Sequence, residues 1–470
     1  MAIDRRLADC PTRRDLLKLS LIALPLAAQQ TGVAAPLAFA DARPVLDDFS
    51  AELPDALRAA PVSAGSWAEW EAAHDREIRS RLKSGDSDSI ANLVLFGTSF
   101  TARPRCSRGQ VEAAGKDAGA VVQLIVGRVQ DFAAAVVRPV RNERFRFAAE
   151  WLKEHGADPS SPAAANRIAA VTLENAQRFL REQDQYTRAI AAAKEKEDAA
   201  SLFIERSSLY RDRGLSLDTS FRPNCAIERS LAEMKSAGAL RQVNRAAVIG
   251  PGLDFADKRS GYDFYPVQTL QPFALIDSLR RLGLTGAAAP AVAIFDLSER
   301  VLSHVRRAVA RAGEGSAYTV QLPLDGETRW LPGTVEYWRT SCSAIGTEVE
   351  PFHPPPGTKV RMRAVRVRPA VVRLLEPFDL DIVIQHLALP EAQRFDLIVA
   401  TNVLVYYSQF EQALAMQNAA KMLRPGGILL SNYALPEVYG VPIRPFGGTS
   451  LAYSEDPEDG DHMLWYKRDS

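Results

Sequence analysis

Between Phe395 and Asn432 the chain places a short apolar run, a stretch with apolar residues at helical spacing, a Pro-Gly-Gly turn and a second apolar run. Phe395 to Val399 follows the polar segment Glu391-Ala-Gln-Arg394 and is almost wholly apolar. Such a run predicts a central parallel strand covered by helices on both faces. Residues 410 to 423 bring Phe410, Ala413, Leu414, Gln417, Ala420, Met422 and Leu423 near a 3.6-residue period. Pro425-Gly426-Gly427 predicts the stop, because proline cannot continue a helix and glycine takes positive φ at little cost. Ile428 to Ser431 is then the next buried strand. Strand, crossover helix, strand is the unit of an α/β sheet, and that is the fold class the block demands.

A nucleotide-handling sheet of this kind needs a tight loop after its first strand and an acid after its second. Ala246 to Ile249 is followed by Gly250-Pro251-Gly252-Leu253-Asp254, and Val292 to Phe295 by Asp296-Leu297 and a helical pattern over Glu299 to Ala312. Two readings of the glycines stay open, close backbone approach to a ligand or an ordinary strand-to-helix turn. Asp296 has a matching pair: acceptor for ribose hydroxyls, or helix cap. Phe273 to Leu284 is expected to be the first crossover helix, delayed by an insertion. For the third strand there are two candidates, Val365 to Pro369 and, preferred, Leu380 to Ala388 just before strand four.

The strand-four pattern ending at Asn402, and the Leu423-Arg-Pro-Gly-Gly turn before strand five, resemble class I S-adenosylmethionine-dependent methyltransferases. The strand-four segment is particularly similar to that of the chemotaxis receptor methyltransferases. The resemblance implies a Rossmann-like methyltransferase sheet with S-adenosyl-L-methionine as cofactor. It implies cofactor binding by Gly250, Pro251, Gly252, Asp254, Asp296, Leu297, Gln385, His386 and Asn402, with Asn402 nearest the methionine part. Val248 stands two before the first glycine, where the family commonly has an acid, and Gln385 and His386 stand where many members have the acid that receives the adenine amino group. An amide at Gln385 can still bond the adenine edge, and His386 reads equally well as a structural histidine.

Methyl transfer needs alignment and exclusion of water more than side-chain chemistry. If the acceptor is an amine or hydroxyl, a base helps; Asp254, Asp263, Tyr265, His386 and Tyr406 are the candidates, with Asp263, Tyr265 and Tyr406 taken as catalytic. Asp263 and Tyr265 sit in an aromatic and acidic insertion near 255–272, which is either a lid or a loop packed on its own aromatics. A second insertion is expected near 315–358, with a hairpin at Asp325-Gly326. Lys359 to Arg368 alternates basic and apolar residues, the pattern of a positive strand face or, preferred, a solvated edge strand.

Residues 41–240 read as a mainly α-helical N-terminal domain, and 241–470 as the Rossmann-like domain. Within the helical part, Ser161-Pro162 is expected to start a long helix, and Leu95 to Thr101 and Ser208 to Ser220 are expected to line the cleft. Residues 1–40 resemble a twin-arginine export signal: Arg13-Arg14, a modest apolar core over Leu19 to Ala28, and a small-residue cleavage site at Ala38-Phe39-Ala40. Cleavage after Ala40, the twin-arginine export machinery as partner and a periplasmic location follow from that resemblance. Because the implied cofactor is cytosolic, retention in the cytoplasm is the alternative. A formal charge of zero argues against general nucleic-acid binding. Dispersed histidines and cysteines give no metal spacing, and no segment of the mature chain is expected to cross a membrane.

Three functions remain on these grounds. The first is an S-adenosylmethionine-dependent methyltransferase with an unidentified acceptor substrate. The second is an exported, non-catalytic or differently liganded Rossmann-like binding protein. The third is a nicotinamide-dependent oxidoreductase, weakened because Phe255 stands at the third glycine of G-x-G-x-x-G.

Overall fold

Alternation along the buried strands organises this protein. Ala246 and Val248 join one apolar core, whereas Ala247 and Ile249 join another on the opposite face of the same sheet. The structure, a computed structural model, describes residues 32–469 except 59–61, 108–109, 111–117, 139–141, 162–163, 196–213, 258–262, 287, 327, 356–359 and 457–458. The paired arginines Arg13 and Arg14 therefore lie outside the described residues.

In chain order, β1 (Val33–Pro36) and α1 (Phe39–Asp48) precede four helices, α2 (Ala64–Phe96), α3 (Ala118–Val136), α4 (Glu143–Glu154) and α5 (Ala165–Glu195). Next come α6 (Pro223–Ser236), β2 (Arg245–Ile249), α7 (Gln271–Arg281), β3 (Ala291–Asp296) and α8 (Glu299–Gly313). An excursion follows, made of β4 (Tyr318–Pro323), α9 (Pro332–Thr340), β5 (Gly346–Val349) and β6 (Met362–Val367). The chain closes with β7 (Leu375–Asp379), β8 (Gln385–Ala388), β9 (Phe395–Ala400), α10 (Gln409–Met422), β10 (Leu423–Ser431), β11 (Ile443–Ala452) and β12 (Gly460–Arg468).

Seven strands form the main sheet in the order β11-β12-β10-β9-β2-β3-β7. From β10 to β7 all neighbours are parallel, while β12 runs antiparallel to both β10 and β11. Counted along the chain within this sheet, the order is 6-7-5-4-1-2-3. The direction of winding reverses between β2 and β9, which opens a crevice at their C-terminal ends. This is a Rossmann-like α/β architecture. One face carries α6 and α7, with Leu231, Met234, Phe273 and Ile276 in its core. The other carries α10, α1 and the first half of α2, with Trp67, Trp70 and Ile78. The second half of the 33-residue helix α2 packs with α3, α4 and α5 in a third core.

Several expectations change here. The third sheet strand is β7, which falls between the two segments read from sequence. Leu380 to Ile384 is instead a turn held by Asp381, whose carboxylate accepts from Val383 N at 2.9 Å. Gln385 to Ala388 leaves the main sheet to pair antiparallel with β1. Apolar character there records burial under α10, not membership of the sheet. Likewise β6 is the middle strand of the sheet β4-β6-β5, not an edge. Arg363 on it is buried because its guanidinium donates to the carbonyls of Trp338 and Ser341, at 3.1 and 2.7 Å. Asp325 does not begin a two-residue hairpin; it accepts from Arg361 N at 2.8 Å, across the mouth of the β4–β6 pair. The long helix expected from Ser161-Pro162 begins at Ala165.

Cleavage after Ala40 would cut inside α1 and remove β1. That segment is anchored: Leu37 is buried, its N–H donates to Ile384 O at 2.8 Å, and Trp67 Nε1 donates to its carbonyl at 3.1 Å. Among the described residues no helix is long and apolar enough to cross a membrane, and no group of three or more His, Cys, Asp or Glu could hold a metal ion. Cys106, Cys225 and Cys342 are free and buried.

Candidate active site

At the crevice between β2 and β9 lies a cavity of about 320 Å³, near the lower end of the range of roughly 300–1,000 Å³ usual for small-molecule sites. Its floor is the loop after β2. Gly250 and Gly252 both line the cavity and both have positive φ, +60° and +62°. A β-carbon on Gly250 would stand 2.2 Å from Val403 Cγ2, and one on Gly252 would stand 2.9 Å from Thr219 Cβ. Protein atoms thus fill the space each glycine vacates. The glycines are required by the loop's own closure against Val403 and Thr219, a reason the turn reading anticipated only in part. Pro251 holds the bend between them and does not line the cavity.

Asp296 ends β3 beside this loop and also lines the cavity. Its carboxylate accepts from Ser298 N at 2.8 Å, and the backbone N–H groups of Gly252 and Leu297 point at it as well. Burial nevertheless pushes its pKa up to about 7, with those N–H groups pulling the other way and Asp379 on the next strand reinforcing the rise. A carboxylate offers about four lone-pair positions, so at least one stays open to a ligand hydroxyl. Asp296 thus ties down Ser298, the N-cap residue of α8, and also lines the cavity, so its geometry is compatible with either sequence reading. Leu297 and Ser298 continue the wall, and Leu380 and Ile382, from the turn after β7, add an apolar one.

Asn402 follows β9 with φ +58°, a left-handed conformation rare outside glycine. Reciprocal bonds with Asn432 hold it there: Asn402 N donates to Asn432 Oδ1 at 2.9 Å, and Asn432 Nδ2 donates to Asn402 Oδ1 at 2.8 Å. Asn402 lines the cavity together with Thr401, Val405, Tyr406 and Tyr407. Tyr406 is secured through its carbonyl, which accepts from Arg81 Nη2 of α2 at 2.9 Å.

The roof is Leu215 to Ser220. It zips onto the glycine loop through Thr219 N to Leu253 O at 3.1 Å and Leu253 N to Leu217 O at 2.8 Å. Asp218 locks it, accepting from Ala256 N at 2.9 Å and from Asn92 Nδ2 at 2.8 Å. These are residues that sequence reasoning reached only as a segment; hydroxyls and an acid just before the first strand were the signal. The other suggested segment, Leu95 to Thr101, does not reach the cavity. That segment binds Asp263 instead, whose carboxylate accepts from Thr98 Oγ1 at 2.9 Å and Ser99 N at 3.0 Å and does not line the cavity.

That bonding removes Asp263 from the chemistry, since a fully buried carboxylate closing a helix end has no path to a substrate. Tyr265 and Asp254 leave the site together. Tyr265 donates to Asp254 Oδ2 at 2.8 Å, Gln268 Nε2 donates to the same oxygen at 3.0 Å, and none of the three lines the cavity. Burial pushes Asp254 up to about 6 and Tyr265 well above its usual value. Arg144, buried beneath, donates to the carbonyls of Asp254 (2.9 Å), Phe255 and Tyr265. The described part of the insertion is therefore packed on its own polar network. Gln385 and His386 also lie elsewhere: Gln385 Oε1 accepts from Asp381 N at 3.0 Å within a turn, and His386 faces a different cavity.

Charge distinguishes this crevice. Asp218, Asp257 and Asp296 are among its described lining residues, and no lysine, arginine or histidine is. The helix that would follow the glycine loop directly in a dinucleotide site is also displaced, since α7 begins only at Gln271.

No protein-family model matches the chain, and no curated protein sequence does. Several similar solved structures are methyltransferases. The N-methyltransferase NodS from Bradyrhizobium japonicum WM9 is 13% identical, with 53% of this chain and 96% of that one covered at a TM-score of 0.26. The CcbJ methyltransferase from Streptomyces caelestis is also 13% identical, covering 52% and 96% at 0.27. Magnesium protoporphyrin IX methyltransferase (ChlM) from Synechocystis PCC 6803, with bound SAM, is 10% identical, covering 60% and 97% at 0.25.

Proposed function

We propose that this protein is an S-adenosylmethionine-dependent methyltransferase. One observation carries the reading: the crevice at the β2/β9 switch point joins a strand-end carboxylate, Asp296, to a lining with acidic and no basic side chains among its described residues. A sulfonium cofactor is cationic at its reacting end and hydroxylated at its ribose. A nicotinamide dinucleotide carries a diphosphate, which needs a helix N-terminus or cations at the glycine loop. This crevice supplies neither there, because α7 starts late and the carboxylates repel phosphate.

When bound, the cofactor supplies a methyl group already activated by its sulfonium. Asp296 would hold a ribose hydroxyl, Leu380 and Ile382 would flank the adenine, and Asn402 would present its amide N–H to the amino-acid end, its oxygen being occupied by Asn432. Asp218 and Asp257 favour a cation in the same space. The roof Leu215 to Ser220 excludes water and fixes the approach. Tyr406 is the retained candidate for moving the acceptor's proton, since it alone of the three proposed catalytic residues lines the cavity. The test is calorimetric titration of the full chain with S-adenosylmethionine, its demethylated product and NAD. Saturable heat with the two sulfur compounds and none with NAD is expected; the converse, in a folded sample, removes the proposal.

We also propose that the paired arginines direct export, with any processing upstream of Val33, because twin-arginine substrates cross folded and Ala40 is locked in α1. A reporter fused to residues 1–45 is expected to lose export in Arg13→Lys/Arg14→Lys; unchanged export would remove the reading.

A further inference from the structure

At the opposite end of β9 from the crevice a second cavity, about 390 Å³, opens among β8, the end of α10 and the end of β12. Arg394 immediately precedes β9 and Asn402 follows it, so about 20 Å of strand separates the two sites. This cavity is lined by His386, Arg394, Gln417, Lys421 and Arg468. No acidic residue lines it among those described. Asp41, which pairs with Lys421 at 2.7 Å, approaches from α1, outside the lining.

The polar atoms here are incompletely bonded. His386 Nδ1, Arg394 Nε, Arg468 Nε and Gln417 Oε1 are each buried without a hydrogen-bond partner. A buried polar group left unpaired costs about 1–3 kcal/mol, more when it is charged, and all four atoms belong to residues that line this one cavity. Burial holds Arg468 below its ordinary pKa, and the charge of Arg394 acts in the same direction. His386 is lowered by burial and then by Lys421. Glu391 opposes the shift of Arg468, and a hydrogen bond with Asn418 and the charge of Asp41 oppose that of His386, but neither carboxylate lines the cavity, whose wall carries three cationic side chains.

We infer that this cavity is a binding site for a phosphate-class oxyanion, free or carried on a small metabolite. The chemistry follows from the lining: Arg394 and Arg468 carry guanidiniums, whose fork of donors suits tetrahedral oxygens, Lys421 adds a point charge shared with Asp41, and Gln417 and His386 complete the polar wall. Carboxylates would be held less well, because donors converge from several elements instead of one plane. The site is independent of the cofactor crevice.

Titrating the full chain with inorganic phosphate and, separately, with glycerol 3-phosphate, at fixed ionic strength, tests it. Saturable binding of at least one is expected, weakened tenfold or more by Arg394→Gln, partly restored by Arg394→Lys, and unchanged by Asp296→Ala. The tighter of the two ligands identifies the source. Circular dichroism confirms that each variant is folded, and Arg394 is preferred to Arg468 because the latter also donates to Leu423 O. No saturable heat with either ligand would mean that water alone satisfies these groups. Binding unaffected by Arg394→Gln would place the anion elsewhere. Either result overturns the inference.

Discussion

Affinity for an adenosyl ligand should depend on pH through Asp296. Its carboxyl is pushed up to about 7, first by burial, against the pull of the Ser298, Gly252 and Leu297 N–H groups. Ribose hydroxyls donate to the ionised form, so a proton on Asp296 competes with the ligand. Affinity therefore rises as pH rises through the free protein's pKa, and levels off above it. With a pKa of about 7, roughly a tenth of the groups are ionised at pH 6 and nine-tenths at pH 8, a change of about tenfold, or about 1.4 kcal/mol. Asp296→Asn keeps the shape but removes the charge, which should weaken binding by about 1.5–3 kcal/mol at pH 8, roughly 10- to 150-fold. It should also flatten the profile. Calorimetry with the demethylated product at pH 6, 7 and 8 measures both effects. Asp254 is pushed into the same pH range by its own burial but does not touch the cavity, so the variant isolates the source. A flat wild-type profile, or an equal slope in Asp296→Asn, would refute the assignment of Asp296 as the hydroxyl acceptor.

Gly250→Ala should cost about 1–2 kcal/mol for the left-handed backbone alone, and more from the clash with Val403; adding Val403→Ala should recover only the second part, read from urea midpoints. His74 donates to Asp381 and Glu411, each at 3.1 Å, between α2 and the sheet domain. Burial alone would lower its pKa, but hydrogen bonds and charges from the two carboxylates outweigh it and hold it up at about 10. A histidine raised on folding stabilises fully below its unfolded value of about 6.5 and loses that stabilisation as pH rises towards 10. His74→Gln should therefore cost about 3–5 kcal/mol near neutrality by leaving buried carboxylates unpaired. The variant's stability, followed by urea titration from pH 6 to 10, should lose the alkaline decline; an unchanged decline would show that another group titrates. Leu37→Ala should cost about 2–5 kcal/mol if β1 belongs to the folded unit, and a loss below 0.5 kcal/mol in urea denaturation would show the segment to be dispensable.

The block from Phe395 to Asn432 announced a central strand, a helix and a second strand, and these are β9, α10 and β10. Such elements are legible because burial on both faces demands a run of apolar residues, and the run is its own signal. That Asp296 and Asn402 line the crevice was legible for a related reason: strand ends at a switch point face a crevice wherever the sheet winds this way. Asp263 and Tyr265 were misjudged because an acid and a phenol near a glycine loop look alike whether they meet a ligand or each other. Only packing separates the cases, and here Thr98, Ser99, Asp254 and Arg144 fill every approach.

The sequence by itself determined the layered α/β class and the position of the crevice, since these follow from local periodicity; the packing of β1, α1 and the first half of α2 onto the sheet does not. Tertiary structure alone decided which segment is the third strand, because Leu375–Asp379 carries two acids and a proline yet pairs with β3, whereas the more apolar Leu380 to Ile384 is a turn buried against the opposite face of the sheet. It also decided the purpose of the two glycines, which admit Val403 and Thr219, and the placing of His386 with Arg394 and Arg468. Arg468 is far from the other two in sequence, and no local pattern marks the three; the return of β12 and the departure of β8 bring them to one cavity.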